Sequence, residues 1–181
     1  MKTFFAPEQL LHHPQTYLSR GQMRKPQEVP DRALAILRGL GALGLEASRP
    51  ADHGMAPLQA VHSAPYLRFL ETAHAEWKKM PADWGDEVMS NIFVREPNAL
   101  RGILAQAARY LADGSCPIGE LTWRSAYWSA QSAIAGARAL LDGEPAAIVL
   151  GLLSGPSHYA QWYSTATTGV FASAMACARL L

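Results

Sequence analysis

Residues 146–164 read AAIVLGLLSGPSHYAQWYS, and the run Ala146 to Leu153 at their head decides the fold class. No position in that run carries a polar side chain, so both faces of an extended segment would be apolar. That pattern suits a parallel strand covered by helices on both sides. The turn formers Asp142-Gly143-Glu144-Pro145 lead into it. Pro156, Ser157, His158 and Tyr159 leave it, at the end of a strand where open α/β sheets place their chemistry. A return into a last helix over residues 169–181 completes an α/β unit. The reading is α/β: a partial parallel sheet with flanking helices and long insertions. Few strands are visible for so many helices, so the sheet is expected to be small.

Upstream, Lys2 to Ala6 reads as a short opening strand. Residues 12–30, with three prolines and a glycine, read as a long surface loop. Asp31 is the expected N-cap of a helix over Arg32 to Leu43, and Gly44 suits its stop. Tyr66, Leu70, Ala73 and Trp77 recur at helical spacing after Ser63. Residues 80–98 look irregular, with a short extended piece around Val88 to Val94. Ala99 to Leu111 and Trp123 to Leu141 read as helices, the latter with a stripe of Tyr127, Ile134, Ala137 and Leu141. The chain carries no internal repeat and no low-complexity tract.

Bulk composition narrows the classes. The 181 residues suit one domain, and 49% apolar against 17% charged residues is a globular balance. A net charge of +1 without a basic tract gives no electrostatic footprint for nucleic acid. No apolar stretch reaches the roughly 18 residues of a membrane span. The start, MKTFFAPEQ, is too short in apolar residues for a signal peptide. Cys116 and Cys177 form no close metal or redox pair, which fits a cytoplasmic protein with reduced thiols.

The common metal-ligand and phosphate-binding patterns are absent from the sequence. None of His12, His13, His53, His62, His74 and His158 lies in an HExxH or Asp-x-His spacing. His12 and His13 are neighbours in a loop and point apart, and His62, before a helix, reads as a capping or packing histidine. There is no GxxxxGK[ST] and no GxGxxG. Ser157 lacks the glycines of a nucleophile elbow, and its adjacent His158 cannot easily serve as its base.

Several stretches together resemble the acetylpolyamine amidohydrolases, bacterial relatives of the histone deacetylases. Residues 53–77, HGMAPLQAVHSAPYLRFLETAHAEW, resemble a family segment through His53, Gly54, Val61, His62, Tyr66, Leu67, Phe69, Leu70, Glu71, Thr72 and Trp77. Residues 21–33 match at Gly21, Pro26, Glu28, Pro30 and Arg32. Residues 117–137 keep Pro117, Ile118, Thr122 and Trp123 of a PI-xx-GTW pattern. The resemblance runs over essentially the whole chain. It implies a single deacetylase-like domain over 1–181, the N-terminal portion of an arginase–deacetylase-type fold, with a dimerisation-type insertion at about 78–116.

The same resemblance implies a hydrolase chemistry. In the family a zinc ion held by two aspartates and a histidine polarises an acetamide and activates water, while two adjacent histidines exchange protons. The family loop CRPPGHHA falls on Leu153 to Ala160, so His158 stands for one histidine and Tyr159 for the other. The floor stretch GGxCFxNN falls on Ala166-Thr167-Thr168-Gly169-Val170-Phe171-Ala172-Ser173, which departs from the family pattern. Tyrosine, with a pKa near 10, exchanges protons poorly at neutral pH. The family's zinc ligands lie beyond residue 181, so zinc is the family's cofactor and none is expected on this chain alone. The implied substrate is an acetylated polyamine or acetyl-lysine, and the implied assembly a homo-oligomer, with no nucleic acid and no membrane. Two alternatives remain open: a non-catalytic oligomerisation module of the same family, and an unrelated α/β binding domain. Asp113, Glu120 and Glu96 are acidic residues in or beside the insertion, but none sits on a family motif.

Overall fold

A computed structural model describes residues 1–26, 29–81, 84–94 and 101–144, together with the backbone of residues 147–149. The elements are β1 (Lys2–Phe4), a 3₁₀ turn (Pro7–Leu11), β2 (Tyr17–Ser19), β3 (Gln22–Arg24) and α1 (Pro30–Ala42). They continue with β4 (Ala47–Ser48), α2 (Ala56–Val61), α3 (Ala64–Trp77), α4 (Ile103–Tyr110), α5 (Thr122–Leu141) and β5 (Ala147–Val149). The readings of residues 151–181, which include His158, Tyr159 and the final helix, lie outside the described residues.

The sheet is parallel, in the order β4-β1-β5. Thr3 sits opposite Ala47 and Ile148, and Phe4 opposite Ser48 and Val149. The opening strand and the strand that precedes His158 in sequence are therefore neighbours, as a parallel α/β reading requires. Among the described residues β1 is the strand flanked on both sides. α1 covers the sheet through Phe5 and Ala33, with Leu10, Leu37, Leu40 and Ala47 packed around them.

α1 begins two residues before its expected body. Pro30 occupies the first helical position and Val29 the cap, so Asp31 serves in the first turn rather than as N-cap. A proline there loses no hydrogen bond, and an early carboxylate suits the positive end of the helix. Gly44 ends the helix at φ +73°, with Leu45 N–H returning to the Leu40 carbonyl. The expected surface loop contains a hairpin: β2 and β3 pair antiparallel around Arg20 and Gly21, at φ 52° and 74°. Both turn positions are left-handed, as a two-residue hairpin demands, and Arg20 hides that signal. β2 also leans on the turn before Cys116, where a Cβ at Gly114 would stand 3.0 Å from Leu18 Cβ.

α3 buries Leu67, Phe69, Ala73 and Trp77, with Tyr66 and Leu70 half-buried beside them. The segment after it is tied to its end: Trp77 Nε1 donates to Gly85 O, His74 Nε2 to Asp86 O, and Lys78 Nζ to the Asp86 carboxylate. Val88 and Ile118 exchange backbone hydrogen bonds of 2.9 and 3.1 Å. This bridge closes a unit in which α4 packs on α3, with Phe69, Trp77, Val88, Ala107, Leu111 and Ile118 in one core.

α5 departs most from its expected stripe. Its buried residues are Thr122, Ser125, Ser129, Ala130, Gln131, Ser132, Ala133, Ala135, Gly136 and Ala139. Tyr127 and Ile134 are half-buried on the side that meets Leu58 and Leu67, and Leu141 is 61% exposed. α5 packs on the 3₁₀ turn, β1 and β5. Small side chains allow that close approach, and hydroxyls and an amide fill the layer beneath.

Candidate functional site at the carboxyl edge of the sheet

Because the three strands are parallel, their carboxyl ends lie together at Phe4, Ser48 and Val149. β1 runs into the 3₁₀ turn, β4 into Arg49, and β5 towards the stretch that carries His158. The turn is seated by Gln9, fully buried: its Nε2 donates to Ser132 Oγ at 3.2 Å, and its carbonyl accepts Ser125 Oγ at 2.9 Å. Glu8 takes both guanidinium nitrogens of Arg49, at 2.7 and 2.6 Å. The Arg49 guanidinium carbon lies 4.1 Å from the centre of the Trp128 ring. The hydrogen bond from Arg49 holds the Glu8 carboxyl below its ordinary range. This corner fastens β4, the 3₁₀ turn and α5 to one another.

His12 ends the turn against the first residue of α5. Its Nδ1 stands 3.0 Å from Thr122 Oγ1, which also accepts the Gly119 N–H at 2.9 Å. Burial, with a smaller contribution from His13, pushes the His12 pKa down from 6.5 to about 4. The folded chain therefore binds a proton here less readily than the unfolded chain. Stability from this site is present above the unfolded pKa and is lost as pH falls from about 6.5 towards 4. The expected loss is on the order of 2 kcal/mol, because the ring is partly rather than wholly shielded. Urea denaturation at pH 7 and pH 4.5 measures it, and His12→Asn should flatten the difference. An unchanged slope in that variant would assign the acid sensitivity elsewhere.

A second fastening holds the link from β4 to α2 against α5. Gln131, fully buried, accepts the His53 N–H on Oε1 at 2.8 Å and donates from Nε2 to Gly54 O at 3.3 Å. Tyr127, one turn earlier, donates its hydroxyl to Asp52 Oδ1, which also accepts Gly54 N–H at 2.8 Å. Gly54 needs its φ of +73° to make this reversal. Desolvation first, and then Asp52, push the Tyr127 pKa up to about 12. Burial lowers the His53 pKa.

Among the described residues no three of His, Cys, Asp and Glu gather where they could hold a metal ion. The Asp52 carboxylate is committed to Tyr127 and Gly54, His74 to the Asp86 carbonyl, and Asp113 to Ser115 N–H. Cys116 donates its thiol to Asp113 O, and burial pushes its pKa up to about 11. A thiol so disposed is a poor ligand and a poor nucleophile. The described residues therefore do not fit a zinc site. His62 caps the end of α2 and lies against the Tyr66 ring at 5.4 Å, as a packing histidine would. Sequence reading missed Gln9, Tyr127 and Gln131 as fasteners. The available signal was a glutamine embedded in small residues, SAQSAIAGA, on a helix face that should be buried.

Residues 26–173 match the histone deacetylase domain, and the chain belongs to that family, with the partial parallel sheet of an arginase–deacetylase fold. Within the family it is similar to the acetylpolyamine amidohydrolase of Burkholderia pseudomallei, at 64% identity over 161 residues, covering 89% of this chain and 47% of that protein. An acetylpolyamine amidohydrolase of Mycoplana ramosa is 33% identical over 163 residues, covering 88% of this chain and 47% of its own length. A crystal structure of the acetylpolyamine aminohydrolase from Burkholderia pseudomallei superposes with a TM-score of 0.81 at 66% identity. That match covers 83% of this chain and 44% of the other. The chain thus spans about half the length of the relatives it matches. No helix among the described residues is long and apolar enough to cross a membrane.

Proposed function

We propose that residues 1–181 are the N-terminal portion of a zinc-dependent deacetylase domain that hydrolyses the acetamide of an acetylated polyamine or acetyl-lysine. On this reading the chain is inactive by itself. The observation that carries it is 64% identity over 161 residues to an acetylpolyamine amidohydrolase of which those residues cover 47%. His158 is the residue proposed to move a proton, on the stretch that follows β5, with Tyr159 in place of a second histidine. A tyrosine near pKa 10 would hold its proton at neutral pH. The described residues offer no zinc site, so no step is derived through the metal. A cytoplasmic location belongs to the same proposal.

Metal analysis of the purified protein, with an assay of acetylputrescine and acetyl-lysine hydrolysis, tests the reading. The expected result is no turnover above buffer, unchanged by His158→Ala. Stoichiometric zinc together with turnover abolished by that substitution would overturn the claim of inactivity. Turnover unaffected by His158→Ala would remove His158 from its role.

A second reading, a non-catalytic oligomerisation module, is favoured by one observation. The unit between α3 and α5, within residues 78–116, exposes Trp84, Ile92 and Phe93 at 49%, 65% and 36%. Large apolar side chains at the surface of a packed unit suit a covered face. Light scattering at micromolar concentration decides it: a homo-oligomer is expected, and a clean monomer would count against it.

A further inference from the structure

The cleft between α3 and α4 has a volume of about 450 Å³, within the range of small-molecule pockets, ~300–1,000 Å³. Its floor is apolar and aromatic. Phe69 is 1% exposed, Ile103 and Tyr110 are half-buried, and the Phe69 and Tyr110 rings lie 5.1 Å apart. Its rim carries Arg68 from α3 and Arg101 from the residues before α4, both exposed. Neither guanidinium makes an ion pair or a hydrogen bond with another described residue. The charge balance favours them. Glu76 also lines the cleft, two turns beyond Arg68 and so about 12 Å along the helix axis. Its carboxylate is taken by Lys79 at 2.6 Å. The neutral donors of the walls are already spent: Thr72 Oγ1 donates to Arg68 O, and Gln106 Nε2 to Arg101 O. Among the described residues two guanidiniums are the charged donors left to meet a ligand over an aromatic floor.

We propose that this cleft binds a small organic oxyanion, a carboxylate or phosphate group carried on an apolar or aromatic body. Arg68 and Arg101 take the oxygens, with the planar donor geometry that guanidinium offers to such groups. Phe69, Ile103 and Tyr110 receive the body. The assignment goes beyond the deacetylase reading, which gives Arg68 and Arg101 no role.

Amide NMR of the full chain, titrated with phenyl phosphate, tests it. Saturable shifts on α3 and α4 are expected by about 10 mM, the weak-affinity range of a fragment. Binding should weaken at least tenfold in the double variant Arg68→Gln/Arg101→Gln, whose substitutions are exposed and leave the fold intact. Benzoate should shift the same amides, whereas neutral benzamide should not. No saturable shift, equal binding of benzamide, or undiminished binding in the double variant would overturn the proposal. Equally tight binding of inorganic phosphate would remove the aromatic floor from it and overturn the organic class of ligand.

Discussion

Phe69→Ala is expected to remove about 3–5 kcal/mol of stability, as truncation of a fully buried aromatic side chain does. Phe69 is 1% exposed and shares its core with Ala73, Trp77, Val88, Ala107, Leu111 and Ile118. That cluster joins α3, α4 and the Val88–Ile118 bridge, three pieces distant in sequence. No other element among the described residues could collapse into the space, because the neighbours are held by the bridge and by the Trp77–Gly85 hydrogen bond. Small domains hold only about 5–15 kcal/mol in total, so the variant should be close to unfolding at 37 °C. Phe69→Leu keeps most of the volume and should cost less than half as much. Trp84→Ala, at a residue 49% exposed whose ring meets Trp77 edge-on, should cost far less, about 1 kcal/mol. Urea midpoints for the three variants make the comparison. Equal losses at Phe69 and Trp84 would mean that this unit is not closed as described.

The parts of this fold that could be read from sequence are those where one period or one breaker acts alone. Ala147–Val149 was legible because an apolar run after turn formers leaves little choice, and Lys2–Phe4 from a short stretch that Pro7 ends. α3 was legible from Ala73 and Trp77, and the end of α1 from Gly44. The hairpin at Tyr17–Arg24 was not, since its turn places an arginine at φ 52°, where glycine or asparagine is the usual sign. α2 escaped because it is only Ala56–Val61, too short for a periodic face. The buried side of α5 escaped for a different reason. Its inner residues are small or polar, so a search for large apolar side chains finds the outer stripe of Tyr127 and Ile134 instead. The candidate site divides in the same way. Family resemblance singled out His53, Gly54 and Thr122 as matching positions, whereas their partners Gln131 and His12 become visible only in three dimensions.

Gln131→Leu is expected to cost about 2–4 kcal/mol, because it leaves two backbone groups without partners rather than one. The amide of Gln131 is fully buried and serves as a substitute strand: Oε1 takes the His53 N–H and Nε2 gives to the Gly54 carbonyl. Leucine has similar volume, so packing changes little and the loss reports hydrogen bonding. The damage should be local before it is global. Gly54 stays pinned through Asp52, so the turn should loosen at His53 first. Amide exchange at His53 should therefore quicken by a factor of ten or more, since every 1.4 kcal/mol is tenfold. Gln131→Glu makes the sharper test. It keeps the acceptor for His53 but offers no donor to Gly54 at neutral pH, and it buries a charge with one hydrogen bond to offset desolvation. It should be at least as damaging as leucine at pH 7 and should recover part of the loss as the pH falls towards 5, when the carboxyl takes up a proton and can donate again. Identical pH dependence for the leucine and glutamate variants would show that the Gly54 carbonyl does not rely on Gln131.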